Sequence, residues 1–148
     1  MPRHIQLLTL TLAALALMAL AVSCSSSSSP RGSSTEDVFT KISYDQAKQQ
    51  AQDGGKLFIV DATATWCGPC QRMEKTTWVD PKVKDWFKAH AVAVQVDVDV
   101  QKPLADELKI EMMPTIIAFK DGKEVDRVVG LQSSDELITW LDKVNKGK

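Results

Sequence analysis

Two thiols separated by two residues lie at the junction of a predicted strand and a predicted helix. Residues 56–63 have an apolar centre typical of a buried strand, and residues 67–77 are predicted to form a helix. Cys67 then falls in the first turn of that helix, where unpaired backbone N–H groups and the helix dipole stabilise a thiolate. Cys67 is therefore the predicted nucleophile, and Cys70, one turn later on the same face, is the predicted resolving thiol.

The same cysteines could instead form a static disulfide or half of a zinc site. Structural zinc sites usually have four ligands, but the chain holds only one further cysteine, Cys24, and two histidines, His4 and His90, which are not spaced as a ligand pair. A static disulfide that closes so short a loop removes little chain entropy. Redox chemistry is favoured over both alternatives, and neither a metal nor another cofactor is expected.

Asp61 directly follows the apolar residues 58–60. Burial raises the pKa of a carboxyl group, so Asp61 could accept a proton near neutral pH. We expect it to act as the general base for Cys70 when Cys70 attacks a mixed disulfide. The alternative is a strand-end residue bonded to nearby backbone.

Further matches extend over residues 38–145, and with them the sequence resembles the thioredoxin family. Asp61 matches the family's buried acid, Met113-Pro114-Thr115 its cis-proline turn, residues 119–123 its last hairpin, and Gly130 the glycine before its final helix. The resemblance implies an α/β thioredoxin fold, with a central mixed β-sheet flanked by helices. It also implies that Met113 and Pro114 bind the substrate backbone beside the disulfide.

Three residues around the cysteines are expected to form the substrate surface. Gly68 leaves room for a substrate backbone, and Pro69 suits the first helical turn, where its missing N–H has no consequence. Trp66 matches the family's partly exposed tryptophan, so the resemblance places it at this surface.

The sequence also departs from thioredoxins proper. Thr63 stands where they usually carry tryptophan, Lys75 where they carry a helix-kinking proline, and Gln95 where many have a lysine that partners the buried acid. Residues 73–83 look closer to secreted thioredoxin-like proteins and to the C-terminal domain of the transmembrane reductase DsbD. This indicates an extracytoplasmic branch of the family.

The N-terminus predicts export. Arg3 precedes an apolar run over residues 5–22, and Ala21-Val22-Ser23-Cys24 looks like a bacterial lipobox whose cysteine is lipidated. The alternatives are a retained membrane anchor and ordinary cleavage near Ser23. The predicted organisation is a lipoprotein signal peptide at residues 1–23, a serine-rich flexible tether at 24–35 and one thioredoxin-like domain at 36–148.

Capping patterns and turn residues predict the remaining elements. Ser43 with Gln46, and Ser133 with Glu136, form capping boxes for the first and last helices. The other predicted elements are a helix after Asp80-Pro81, a central strand over residues 91–98, a helix over 103–108 and a hairpin of 115–119 with 124–129. Strands alternate with helices before a final hairpin and helix, which predicts a mixed sheet.

Several other side chains are expected to be structural. The tryptophans at 78, 86 and 140 fall on apolar helical stripes and are predicted to pack in the core or at its edge. We expect Met113 to contact the disulfide region and Met112 to be packed. His90 is expected at the surface at a helix end, and Asp97 and Asp99 are expected to be exposed strand-end carboxylates.

The cysteine pair, the family resemblance and the N-terminal sequence together predict an extracytoplasmic thiol:disulfide oxidoreductase that reduces disulfides of envelope proteins. Its expected partners are protein disulfides and a membrane electron donor of the DsbD or CcdA type, because an exported domain has no direct access to cytoplasmic reductants. The expected location is the periplasmic side of a bacterial envelope, anchored through lipidated Cys24, with the outer membrane favoured by Ser25. A monomer is expected, and a net charge of −1 does not suggest nucleic-acid binding.

Two further functions stay open at the level of sequence. One is a membrane-tethered polypeptide-binding or chaperone module in which redox turnover is incidental. The other is a disulfide oxidase or isomerase, which uses the same two cysteines with the opposite direction of electron flow or without net flow.

Overall fold

A computed structural model describes Thr35 and residues 38–147 of the protein. The predicted signal peptide, Cys24 and all but the last residue of the predicted tether lie outside the described residues. In chain order the elements are α1 (Tyr44–Asp53), β1 (Leu57–Thr63), α2 (Gly68–Lys75), α3 (Pro81–His90), β2 (Ala91–Asp97), α4 (Lys102–Glu107), β3 (Thr115–Lys120), β4 (Lys123–Val129) and α5 (Ser134–Asn145).

The four strands form one mixed sheet in the order β2-β1-β3-β4. β2 runs parallel to β1, whereas β3 is antiparallel to both β1 and β4. The predicted mixed α/β sheet is thus confirmed. Because β1 lies between a parallel and an antiparallel neighbour, its C-terminal end, which leads into the cysteines, is held on both sides.

The predicted central position of the strand at residues 91–98 is wrong. Among the described residues, β2 lies at the edge of the sheet, and its outer side receives a single bridge, between Phe39 and Ala93, with the Thr40 N–H donating to the Ala93 carbonyl at 2.9 Å. Its apolar sequence reflects burial of both faces, since α1 covers one face and α3 the other. An apolar composition indicates that both faces of a strand are buried, but it does not indicate whether one or both of its edges are paired with other strands.

Alternate residues of β1 enter two separate apolar layers. Leu57 and Ile59 pack with α3 and α5 and with Met73 of α2, whereas Phe58 and Val60 pack with α1 on the opposite face. Successive side chains of a strand point to opposite faces, so Asp61 continues the row of Leu57 and Ile59. Asp61 therefore lies on the face of the sheet that α2 covers.

Local signals set the ends of the elements as predicted. Both capping boxes are formed, at Ser43 and at Ser133, and the Asp80 side chain accepts a hydrogen bond from the Lys82 N–H at 2.9 Å. Asp121 and Gly122 both have positive φ, 51° and 76°, as a two-residue hairpin turn of type I′ requires. No helix among the described residues combines the length and apolar character needed to cross a bilayer.

Candidate active site

Cys67 and Cys70 form a disulfide at the start of α2, with their Cα atoms 5.3 Å apart. Cys67 is the N-cap of the helix, and its Sγ accepts a hydrogen bond from the Cys70 N–H at 3.2 Å. Once the disulfide is reduced, this donor and the other unpaired N–H groups of the first turn would stabilise a negative charge on Cys67 Sγ. The geometry therefore supports Cys67 as the thiolate of the pair.

The loop before β3 closes against the disulfide. The Met113–Pro114 peptide bond is cis, and Met113 packs against the cluster formed by Ala64 and the two cysteines. The Pro114 carbonyl accepts a hydrogen bond from the Gly130 N–H at 2.8 Å, and Thr115 Oγ1 donates to the Met112 carbonyl at 2.6 Å. The structure thus brings the predicted substrate-binding residues Met113 and Pro114 to the disulfide.

Met112 does not pack in the interior as predicted, since 63% of its surface is exposed. The neighbouring Met113 occupies the place against the disulfide. An exposed methionine beside the cis-proline loop adds apolar surface next to the redox centre.

Trp66, directly before Cys67, is 66% exposed. Its indole N–H donates to Asp99 Oδ2 at 2.7 Å, and Asp97 Oδ1 accepts hydrogen bonds from the N–H groups of Asp99 and Val100. Both aspartates are predicted from the sequence as plain strand-end carboxylates, so the hydrogen bond between Asp99 and Trp66 is an unpredicted contact. The only signal was their alternation with valines, which does not identify a partner.

Asp61 is buried beneath the redox centre, with 2% of its surface exposed. Gln95 Nε2 donates to Asp61 Oδ2 at 3.1 Å, whereas Asp61 Oδ1 has no hydrogen-bond partner among the described residues. Burial raises the pKa of Asp61 to about 7, the hydrogen bond from Gln95 lowers it, and the charge of Glu74 raises it further. A carboxyl group with this pKa can take up and release a proton near neutral pH.

The remaining predicted side chains lie away from this site. Trp78 and Trp86 are buried in the core, and Trp140 packs against it while its indole N–H donates to Asp126 at 3.1 Å. His90 is exposed at the end of α3, with its ring centroid 4.9 Å from that of Trp86. No group of three or more His, Cys, Asp or Glu residues within the described part of the chain is placed to hold a metal ion.

Comparisons with known proteins agree with this arrangement. A family model described as a thioredoxin-like domain matches residues 44–145. A thioredoxin H-type of Fagopyrum esculentum is 41% identical over 99 residues, which cover 67% of this chain and 81% of that protein. A thioredoxin of Malassezia sympodialis is 42% identical over 93 residues, covering 62% and 85%.

A solved structure gives the same result at the level of the fold. The solution structure of a thioredoxin from Thermus thermophilus superimposes with a TM-score of 0.62 at 29% identity. The alignment covers 68% of this chain and 82% of that one.

Proposed function

The chain belongs to the family of thioredoxin-like domains and is a thiol:disulfide oxidoreductase, and from this premise we propose that it reduces disulfides of proteins in the bacterial cell envelope. The observation that carries the proposal is the convergence of three parts on one site. The Cys67–Cys70 disulfide begins α2, the Met113–Pro114 loop packs against it, and buried Asp61 lies beneath α2.

The proposed reaction begins with both cysteines reduced. The Cys67 thiolate attacks one sulfur of a substrate disulfide, which forms a mixed disulfide and releases the first substrate sulfur as a thiolate. Asp61 accepts the proton of the Cys70 thiol, and the Cys70 thiolate then attacks Cys67 Sγ. The second substrate sulfur leaves as a thiolate, both substrate thiolates take protons from water, and Cys67 and Cys70 are left as a disulfide.

The substrate is proposed to bind as an extended polypeptide across the disulfide. Trp66, which precedes Cys67, and Met112 of the cis-proline loop are exposed, as are Gly68 and Pro69 at the start of α2. Such a surface offers apolar contact near the attacking sulfur. Pro114 has no N–H of its own, and the loop backbone beside it is the proposed partner of the substrate backbone.

The proposed reducing direction requires a donor that restores the dithiol. Gly68-Pro69 between the cysteines resembles the reducing members of the family, and a domain outside the cytoplasm would take electrons from a membrane protein of the DsbD or CcdA type. The resemblance of residues 73–83 to the C-terminal domain of DsbD supports this assignment. In the structure α2 ends at Lys75 and α3 begins at Pro81, so residues 76–80 of this segment separate two short helices.

The reduction potential of the Cys67/Cys70 pair tests the direction. The purified protein would be equilibrated with glutathione or a reference thioredoxin, and the two forms quantified after alkylation. We expect a value near about −270 mV, the thioredoxin range, whereas about −120 to −180 mV would identify an oxidase or isomerase and overturn the proposed direction.

The proposed location depends on Cys24, which lies in the lipobox-like sequence. Labelling of bacteria with a fatty-acid analogue should mark the wild-type protein and recover it with membranes. Cys24→Ala should remove the label, and Ser26→Ala in the tether is the matched control. An unlabelled wild-type protein, or a label that persists in Cys24→Ala, would contradict lipid attachment.

A polypeptide-binding module is the second candidate function. It is favoured by the exposed apolar side chains of Trp66, Met112 and Val100, the last with 79% of its surface exposed. Changing both Cys67 and Cys70 to serine separates the two functions. A module of this kind would keep its partners and its phenotype, whereas a reductase would lose its activity.

A further inference from the structure

A polar cleft of about 440 Å³ opens where β1 and β2 end, beside α2. A water molecule takes about 30 Å³ in the liquid, so the cleft has room for several. Seven of its lining residues carry polar side chains that can bind such water: Thr63 and Thr65, Gln71 and Glu74 of α2, Gln95 and Asp97 of β2, and Gln101. The reaction proposed above makes no use of this cleft.

Asp61 lies behind the wall of the cleft, in contact with the lining residue Gln95. Thr63 follows Asp61 on the same face of β1, and Gln95 is the residue paired with Asp61 across the β1–β2 ladder. Gln95 both lines the cleft and donates to Asp61 Oδ2 at 3.1 Å. The second oxygen, Oδ1, is buried without a hydrogen-bond partner among the described residues, and an ordered water is the usual partner of such an atom.

A buried general base needs a route for its proton. Each reductive cycle moves one proton from the Cys70 thiol to Asp61, and the carboxyl group must lose it before it can serve again. With 2% of its surface exposed, Asp61 cannot exchange this proton directly with bulk water. The proton therefore needs a chain of groups or waters that reaches the surface.

Glu74 is placed to complete that route. It lies four residues after Cys70 on α2, so the two side chains project from the same face of the helix. Glu74 is only partly buried and lines the cleft, and its charge acts on Asp61. Asp97, the other carboxylate of the cleft, already binds two backbone N–H groups through Oδ1.

We propose that a water on Asp61 Oδ1 and the water of the polar cleft carry the proton from Asp61 to Glu74, with Gln95 as the positioning residue that holds the carboxyl group behind the cleft wall. This inference rests on the proposed function. Beside Asp61 lie neutral Gln95 of β2, with Asp97 beyond it, and apolar Ile116 of β3. The charge of Glu74 on α2 acts on Asp61, and Cys70 of α2 is the thiol whose proton Asp61 accepts in the proposed reaction. No lysine or arginine is among the residues found to line the cleft.

The proposed route consists of two successive proton transfers and a final release to solvent. The Cys70 thiol gives its proton to the Asp61 carboxylate and becomes the attacking thiolate. The neutral Asp61 carboxyl group then passes the proton through water to the Glu74 carboxylate, and Glu74 releases it to the solvent. No electron moves in these steps, and both carboxylates are restored for the next cycle.

Glu74→Gln separates the proton route from a simple charge effect. Loss of the Glu74 charge alone lowers the pKa of Asp61, which increases its ionised fraction and would hasten the attack by Cys70. Loss of the route has the opposite effect, because the Asp61 groups that start protonated cannot release their proton. For the molecules in which Asp61 starts protonated, we expect resolution of the mixed disulfide to slow by at least about tenfold in weak buffer near neutral pH.

The assay follows a single turnover of the full-length protein with a fluorogenic peptide disulfide, which resolves mixed-disulfide formation from its resolution. Imidazole, a small base, should restore the second phase of Glu74→Gln, and the control Glu107→Gln on α4 should behave as wild type. An equal or faster second phase in Glu74→Gln, or a slow one that imidazole does not restore, would overturn the proton route.

A measurement without substrate keeps this test separate from the proposed function. In the disulfide form, ¹³C relaxation of the Asp61 carboxyl carbon reports its proton exchange near the midpoint of titration. We expect exchange at least about tenfold slower in Glu74→Gln than in wild type. If proton exchange of Asp61 is as fast in Glu74→Gln as in wild type, the proton route is refuted. If Asp61 of the wild-type protein exchanges its proton normally but the protein reduces no peptide disulfide, the proposed function alone is refuted.

Discussion

Replacement of Asp61 by asparagine should make the protein more stable at neutral and alkaline pH. The fold raises the pKa of this carboxyl group from 3.8 to about 7, chiefly through burial. The folded state therefore binds more protons than the unfolded state between these values, and the free energy of unfolding falls as the pH rises through that window. At 1.36 kcal/mol per pH unit the full effect is about 4 kcal/mol, reached above about pH 7.

The pH dependence isolates this effect from the other consequences of the substitution. A buried asparagine amide can itself leave a donor unpaired, at about 1–3 kcal/mol, but that term does not change with pH. The difference in unfolding free energy between Asp61→Asn and wild type should therefore increase by about 3–4 kcal/mol in favour of the variant from about pH 4 to about pH 8.

Guanidinium chloride unfolding of the disulfide form at several pH values measures this difference. Asp85→Asn is the matched control, because it removes one carboxylate from the exposed surface of α3. A difference that stays constant with pH, or that moves in favour of wild type as the pH rises, would refute the reasoning from a buried carboxyl group.

Three further outcomes follow from the described contacts. Gly122→Ala should destabilise the fold by about 1–2 kcal/mol in denaturant unfolding, since φ is +76° there and a Cβ would lie 2.5 Å from Gln52 Nε2. Ser133→Ala removes the N-cap of α5 and should cost about 1 kcal/mol in the same assay, whereas Ser133→Asp should retain most of the stability. Cys70→Ser should accumulate the mixed disulfide on Cys67, visible by non-reducing electrophoresis and mass spectrometry, and a variant that still turns over would contradict the resolving role.

Short-range chemistry made much of the fold predictable. The capping boxes at Ser43 and Ser133 are formed within one helical turn, and the Asp121-Gly122 turn depends on two residues that tolerate positive φ. The position of Cys67 at the start of α2 follows from the strand and helix around it. Signals of this kind can be read along the chain because all their atoms lie within a few residues of one another.

The environment of the site was less predictable, because its contacts join distant parts of the chain. Burial of Asp61 was expected from its apolar neighbours, but the size of its pKa shift depends on how completely distant segments bury it and on the hydrogen bond from Gln95, 34 residues away. The hydrogen bond from Trp66 to Asp99 joins residues 33 positions apart, and no sequence pattern identified Asp99 as the partner of Trp66.

The sequence by itself determined the helix starts, the hairpin turn and the pair of cysteines, because each depends on local backbone geometry and on the chemistry of neighbouring residues. Only the tertiary structure decided that β2 lies at the sheet edge and that Met112 is exposed. It also decided that a polar cleft lies beside α2 and is lined by Gln95, the hydrogen-bond partner of Asp61. Strand order, exposure and cleft shape depend on which distant segments pack together, and an apolar or polar residue pattern does not specify its partner.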